Sequence, residues 1–174
     1  MVNTSIQNLE YEIINAISKI STRKPATIGI LHGQGELDKP YLADFYKSVS
    51  ASYPTHYVQI KNQLNALQDY DCLVIAKPDS AFDEKDKFII DQFIMRGGKV
   101  LWLLDMMSAD MDSLARKNEF IAIPKELNLD DMLFRYGVRL NKDLVMDLQS
   151  VPIPILTGYV GNRPQNSLLP WFYY

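Results

Sequence analysis

The sequence predicts an α/β domain with a doubly wound, mostly parallel sheet. Three observations lead to this fold class: β-rich segments alternate with amphipathic helical segments, two strand segments are continuous apolar runs, and a glycine-bearing loop follows the first strand. Such alternation is typical of βαβ units, whose parallel strands are covered on both faces. We therefore expect a three-layer α/β/α domain of the flavodoxin or Rossmann type, similar to glutamine-amidotransferase-like domains.

An amphipathic helix and a short strand open the chain. The helix is indicated by apolar residues at three- and four-residue steps, namely Ile6, Leu9, Ile13, Ile17 and Ile20. Pro25 ends this helix, and the β-rich segment 27–31 is the first predicted strand. A second apolar stripe predicts a helix over 42–53, with Pro40 near its start.

Three more strands are predicted in the next fifty residues. Segment 56–60 is the second strand, and the apolar runs 71–76 and 99–104 are the third and fourth, each expected to be buried on both faces. Between the third and fourth strands, Asp83 is the expected N-cap of a helix. The glycine pair at 97–98 is expected to end this helix.

The pattern is weaker after the fourth strand. Residues 129–136 predict another helix, with Asn128 as its cap and Gly137 at its end, and residues 144–148 predict a fifth strand. We expect residues 1–149 to form a single α/β domain. Residues 150–174, rich in proline and glycine, are expected to be an extended, irregular tail that begins a truncated continuation.

Composition excludes several classes of function. The 174 residues carry a net charge of −3 and contain no basic stripe, which argues against a nucleic-acid-binding protein. The single cysteine, Cys72, lies in the third predicted strand, where a buried thiol is inert. No apolar run approaches the ~20 residues that span a bilayer. Because the chain ends in an apolar, aromatic segment, we expect a soluble piece of a longer protein.

The likeliest binding edge is the loop after the first strand, His32, Gly33, Gln34, Gly35 and Glu36. In an open sheet of flavodoxin-like order, ligands bind between strands one and three, beyond their carboxyl ends. Lys77, after strand three, and Asp105, after strand four, would complete the rim. Three readings stay open: a nucleotide site, a tight turn that needs glycine, and a surface for a polar or protein ligand.

Other chemistry has weaker support. The third glycine of a dinucleotide fingerprint is replaced by Asp38, and the acidic loop would repel phosphate. His32 and Glu36 could share a metal but lack a third ligand, and Asp110 and Asp112 are expected to be part of a solvated acidic loop. No serine or cysteine nucleophile stands on the turn after strand three. We predict no catalytic residue, metal or cofactor.

Seven stretches of the chain carry a family resemblance; the most telling is 90–102, and the others are 9–12, 32–37, 75–78, 127–137, 143–147 and 170–174. Together they resemble the gliding-motility-associated ABC transporter auxiliary protein, the GldG type of Bacteroidetes. The resemblance covers nearly the whole chain. It implies the extracytoplasmic domain of an accessory, substrate-binding subunit, on the periplasmic face of the inner membrane. Membrane helices would lie in segments outside this chain.

The resemblance implies ABC permease or ATPase subunits, or a related accessory subunit, as partners, and it leaves a homo-oligomer open. The first hypothesis is therefore a non-enzymatic accessory domain that acts through protein or ligand contacts. The alternative is a small-ligand or glycan-binding domain that uses the crevice at the ends of strands one and three. A hydrolase with a concealed site is a third hypothesis, for which the sequence nominates no residue.

Overall fold

A computed structural model gives the fold and describes residues 8–21, 24–109 and 121–170. Ile6, Asp110, Asp112 and the closing segment 171–174 lie outside the described residues. The elements, in chain order, are α1 (Leu9–Ser21), β1 (Ile28–Leu31), α2 (Ala43–Ser50), β2 (Thr55–Val58), β3 (Cys72–Ala76), α3 (Glu84–Met95), β4 (Lys99–Leu103), β5 (Met107–Ser108), β6 (Ile123–Pro124), α4 (Asp130–Arg135), β7 (Pro152–Val160) and β8 (Arg163–Pro170).

Four strands form one parallel sheet in the order β2-β1-β3-β4. Ile28 of β1 is in register with Thr55 of β2 and Cys72 of β3, and Cys72 is in register with Lys99 of β4. The predicted α/β class with a mostly parallel sheet is confirmed. All four strands begin and end within two residues of the predicted limits.

The chain divides into two compact units. The first contains Met1–Asp105 with Glu126–Leu140 and holds the parallel sheet and the helices. The second contains Met106–Lys125 with Asn141–Tyr174 and holds the β5–β6 pair and the β7–β8 hairpin. The single domain expected over 1–149 stays a prediction.

The core of the first unit lies on the two central strands. Ile30, Val74 and Ala76 form a buried cluster with Leu42, and the first turns of α2 pack against it. On β4, Trp102 contacts Phe82 edge-on, with ring centroids 6.5 Å apart. Each buried apolar side chain of this kind stabilises the fold by about 1.5–3 kcal/mol.

The expectation that the fourth strand is buried on both faces is wrong. β4 is the edge of the sheet, and Leu101 and Leu103 are 43% and 48% exposed. These two leucines are in register with the buried Val74 and Ala76 of β3. An apolar run shows that a strand can be buried, but whether it is covered depends on its place in the sheet.

The predicted start of α3 is confirmed. The side chain of Asp83 accepts a hydrogen bond from the Asp86 N–H at 2.6 Å, as an N-cap residue does. At the other end, Gly97 adopts φ +95°, the left-handed conformation that ends many helices. Gly98 has another role, because a Cβ there would lie 2.4 Å from Cζ of the buried Phe93.

The predicted cap of the next helix is wrong. α4 has Leu129 at its N-cap position without a side-chain hydrogen bond. Asn128 instead adopts φ +56°, and its Nδ2 donates to the Phe82 carbonyl at 2.9 Å and to Glu84 Oε1 at 3.0 Å. Asparagine tolerates this left-handed conformation, so Asn128 joins the approach to α4 to the start of α3 instead of capping a helix.

Two expectations about the C-terminal region are also wrong. Segment 144–148 forms no strand apart from a single bridge residue, Met146. The expected irregular tail is a regular antiparallel hairpin, in which the register runs from Pro152 opposite Pro170 to Val160 opposite Arg163. Each strand of a two-stranded sheet has one unpaired edge, and proline is tolerated at the positions whose N–H would point to that edge.

Candidate binding site at the strand ends

Two loops meet at the carboxyl edge of the sheet. β1 ends at Leu31 and β3 ends at Ala76, and parallel pairing places both ends on the same side. The Leu37 N–H donates to the Ala76 carbonyl at 3.0 Å, which fixes the first loop against the end of β3. The structure therefore places the predicted loop at the edge where the sequence analysis expected a binding surface.

The glycine-bearing loop binds its own carboxylate. Glu36 Oε2 accepts hydrogen bonds from the N–H groups of Gly33 and Gln34, each at 2.8 Å. Gly33 and Gly35 have φ values of +137° and +73°, which a side chain rarely tolerates. The two backbone donors that could have held an external anion are thus already bound to a charged group of the same loop.

Hydrogen bonds also join the loops after β1 and β3. The Gln34 carbonyl accepts from the N–H groups of Asp79 and Ser80, at 3.0 and 2.9 Å. A Cβ at Gly35 would lie 3.1 Å from Asp79 Cβ and 3.2 Å from Ser80 Oγ. The predicted crevice between strands one and three is therefore bordered by loops that are in close contact.

The buried carboxyl group of Asp86 accepts a hydrogen bond from the glycine-bearing loop. Gln34 Nε2 donates to Asp86 Oδ2 at 2.7 Å, and Asp86 is only 6% exposed. Burial raises the pKa of the Asp86 carboxyl, and the nearby Asp83 carboxylate raises it further. The Asn62 backbone N–H opposes this shift by a hydrogen bond to the same carboxyl. Within the described part of the chain, two buried oxygens of the loop accept no hydrogen bond, Gln34 Oε1 and Glu36 Oε1.

Lys77 and Asp105 are brought together on the β3–β4 side of the edge. Lys77 Nζ lies 3.5 Å from Asp105 Oδ2, and both side chains are nearly half exposed. The Lys77 N–H donates to the Leu103 carbonyl at 2.8 Å, and Lys77 has a positive φ of +50°. A non-glycine residue in this conformation is strained, and such residues cluster at functional sites.

An open pocket lies on the other side, beside β1 and β2. It has a volume of about 590 Å³ and is lined by His32, Tyr57 and the segment 36–41. Of the predicted site residues, only His32 and Glu36 line it. The ring Nε2 of His32 lies 2.9 Å from the side-chain nitrogen of Gln59, which follows β2.

Sequence reasoning missed the aromatic and basic residues of this pocket. Tyr57 stacks on Tyr46, with ring centroids 5.4 Å apart and planes 4° from parallel, and the Lys39 ammonium lies 4.9 Å from the Tyr57 ring centroid. Tyr41 is 78% exposed. Tyr57 lies in the segment 56–60 that the sequence predicts as a strand, and nothing in its spacing from Lys39 predicts that the two side chains meet.

Catalytic and metal chemistry gains no geometric support. Over residues 8–21, 24–109 and 121–170, no group of three or more His, Cys, Asp or Glu side chains is arranged to hold a metal ion. Burial raises the pKa of the Cys72 thiol, against an opposing effect of the Lys99 ammonium. A raised pKa lowers the fraction of reactive thiolate.

Two known proteins are similar to this chain at low identity. An uncharacterized protein of Borreliella burgdorferi is 22% identical over 175 residues, which cover 98% of this chain and 32% of that protein. The chain thus spans about a third of the length of this curated relative. Among solved structures, the mmIFT52 N-terminal domain matches with a TM-score of 0.53 and 14% identity, over 85% of this chain and 67% of that one. At this identity, the match indicates a shared fold.

A family model also matches this chain. The model of an ABC-type uncharacterized transport system, ABC_transp_aux, matches residues 25–174. Within the described parts of the chain, no helix has both the length and the apolar composition to cross a membrane. Since the match extends from just before β1 through the hairpin, the chain belongs to the ABC_transp_aux family, the auxiliary components of an ABC-type transport system.

Proposed function

We propose that this chain is a non-enzymatic, extracytoplasmic accessory domain of an ABC-type transport system and that it acts by contact with the transporter. The observation that carries the proposal is the family match over residues 25–174, which includes the whole parallel sheet. The resemblance to the GldG type adds the periplasmic face of the inner membrane, a substrate-binding role and a part in gliding motility to the same proposal.

The strand-end loops support contact with a partner over catalysis. Their polar groups are largely used within the protein: Glu36 binds two backbone N–H groups, and the Gln34 carbonyl accepts two more. A ligand between strands one and three would have to break these bonds. By contrast, Lys77 and Asp105 form a half-exposed ion pair at the same edge, where a partner's charged or polar groups can reach them.

Cross-linking from the outer side tests both the partner and the side of the membrane. Spheroplasts that carry the tagged full-length protein are treated with a membrane-impermeant cross-linker, and captured proteins are identified by mass spectrometry. We expect the permease subunit, with the ATPase retained in the same complex. Capture with a permeant reagent alone contradicts the extracytoplasmic placement, and capture with neither reagent contradicts the partnership.

A pair of charge reversals locates the contact. Lys77→Glu removes the attraction to Asp105 at the strand-end edge, whereas Lys47→Glu changes an exposed lysine of α2. We expect Lys77→Glu to lower the yield of the permease cross-link and Lys47→Glu to leave it unchanged. Equal yields of the cross-link in the two variants would place the contact elsewhere.

Two further parts of the proposal have their own tests. The same gels report self-association of the protein, and normal movement of a deletion strain would refute the gliding role.

The proposal includes the flavodoxin-like or amidotransferase-like class of three-layer fold. The order β2-β1-β3-β4 supports it, because flavodoxin-like sheets have the order 2-1-3-4-5. In that class a fifth strand would pair with β4, the present edge strand. An experimental structure of the full-length protein tests this, and an unpaired or antiparallel neighbour at β4 would contradict it.

A further inference from the structure

We propose that the open pocket beside β1 and β2 binds a saccharide. The inference rests on the proposed function, which makes this chain an accessory domain of a transport system. It names a ligand class for a pocket that lies away from the proposed partner contact at Lys77 and Asp105. The pocket volume of about 590 Å³ lies within the range of small-ligand sites, roughly 300–1,000 Å³. Its chemistry, described next, selects a neutral, hydroxyl-rich ligand.

Two tyrosines give the pocket aromatic surface at low entropic cost. Tyr57 is held in place by its stack on Tyr46, whose hydroxyl donates to the Thr55 carbonyl at 3.0 Å. Tyr41 follows Pro40 at the rim and is 78% exposed. The exposed ring of Tyr41 suits the apolar C–H face of a sugar ring, while Tyr57, which Tyr46 and Lys39 already cover, offers its ring edge and hydroxyl to the polar edge of the sugar.

The pocket is lined by both hydrogen-bond donors and hydrogen-bond acceptors. Asp38 provides a carboxylate acceptor and Lys39 an ammonium donor, while His32 has one ring nitrogen within hydrogen-bond distance of Gln59. A hydroxyl group both donates and accepts, so a polyhydroxylated ring can satisfy both kinds of group at once. Few other neutral ligands combine this property with an apolar face.

Charged ligands fit less well. An anion would meet the carboxylates of Glu36 and Asp38, and the backbone donors of Gly33 and Gln34 are already bound to Glu36. A cation would compete for the Tyr57 ring with Lys39, whose ammonium lies 4.9 Å from its centroid. The pocket therefore disfavours both phosphate and basic peptides.

An NMR titration of the 174-residue chain tests the assignment. Maltotriose and chitotriose are the saccharide probes, and inorganic phosphate and trilysine are the charged probes. We expect at least one trisaccharide to shift the amide signals of residues 37–41 and Tyr57. Tyr41→Ala should weaken this binding roughly fivefold or more, because it removes an aromatic surface. Tyr53→Ala, which removes a tyrosine outside the pocket, should leave it unchanged.

Three results would overturn the inference. These are the absence of shifts at the pocket with both trisaccharides, an unchanged affinity in Tyr41→Ala, and shifts at the same amides with phosphate or trilysine alone. None of these results bears on the permease cross-link. A failed titration with a positive cross-link removes the saccharide site and leaves the proposed function standing.

Discussion

The carboxylate of Glu36 accepts hydrogen bonds from two consecutive backbone N–H groups, at 2.8 Å each. From the sequence, Glu36 argues against phosphate by its charge alone. The structure adds a second and stronger reason, because Glu36 occupies the donors of Gly33 and Gln34 that a phosphate would need. A glutamate three positions after a glycine can fold back onto the N–H group of that glycine, as Glu36 does onto Gly33. Whether it does so depends on the conformation of the loop, which the sequence alone does not give.

Asp86 gives a prediction for the pH dependence of stability. Because burial raises the pKa of this carboxyl in the folded state, the native protein binds the proton more tightly than the unfolded chain does. The stabilising contribution is complete below the unfolded pKa, about 3.9, and is lost as the pH rises through the raised value. Asp86→Asn should therefore unfold at higher urea concentration than the wild type at neutral pH.

The advantage of Asp86→Asn should shrink as the pH falls from about 7 to about 4, since the wild-type carboxyl then becomes neutral too. Asparagine can also donate to Gln34 Oε1, which accepts no hydrogen bond from the described residues. Asp69→Asn, at an exposed position, is the control and should show no such change. A constant or reversed difference across this pH range would refute the role of burial.

At the scale of elements, local pattern predicted which segments fold but not what they contact. The apolar stripe of α1 is helical as predicted, yet no residue of α1 is buried, and Ile17 and Ile20 are 61% and 88% exposed. Periodicity of 3.6 residues defines a face and carries no information about its partner. Asn128 shows the same limit, because its side chain could either cap α4 or donate to residues near the start of α3. The sequence does not decide between the two, and the structure shows the second.

The junction of α3 and β4 is predicted to depend on a missing side chain. Gly98→Ala would place Cβ about 2.4 Å from the Phe93 ring, which is buried at the end of α3. We expect a loss of about 1–3 kcal/mol in the free energy of unfolding, as for other overpacked cores. Gly158→Ala is the matched control, because a Cβ there meets nothing within 4 Å. Urea titration should give a lower midpoint of unfolding for Gly98→Ala than for Gly158→Ala. Equal midpoints would show that the Phe93 ring can shift to make room for the added Cβ without loss of stability.

At the scale of the whole molecule, the first unit contains its own core. Among the described residues, every buried apolar side chain except those of Met106 and Met107 belongs to this unit. A chain ending at residue 140 should therefore retain cooperative unfolding, measured by circular dichroism in urea. A chain ending at residue 125 should lose it, because it lacks the buried Leu127, Leu129, Met132 and Leu133.

Those four side chains contribute about 6–12 kcal/mol, which is comparable to the whole stability of a domain, about 5–15 kcal/mol. Loss of cooperativity in the 1–140 chain would show that the parallel sheet requires the hairpin region. Retained cooperativity in the 1–125 chain would show that α4 and the segment before it contribute less than their burial implies.

Much of the fold could be predicted from local pattern, and much less of the site. A β-rich run predicts β1, a continuous apolar run typical of buried parallel strands predicts β3, and Asp83 as a cap predicts the start of α3. The predicted site residues separate into His32 and Glu36 in the open pocket and Lys77 with Asp105 on the other side. Tyr57 and Lys39 were missed because their contact joins a strand to a distant loop.

The sequence by itself determined the α/β class, the four parallel strands and the position of the glycine-bearing loop, because periodicity and turn residues act over a few neighbours. Tertiary structure decided which strand is an edge, that the C-terminal prolines form a hairpin, and which donors of the loop are already used. Those outcomes depend on contacts between residues far apart in the chain, such as the bond from Gln34 to Asp86. The glycine-bearing loop therefore lies at the predicted edge, and the open pocket lies beside β2 and not between β1 and β3, while binding at this edge stays a prediction.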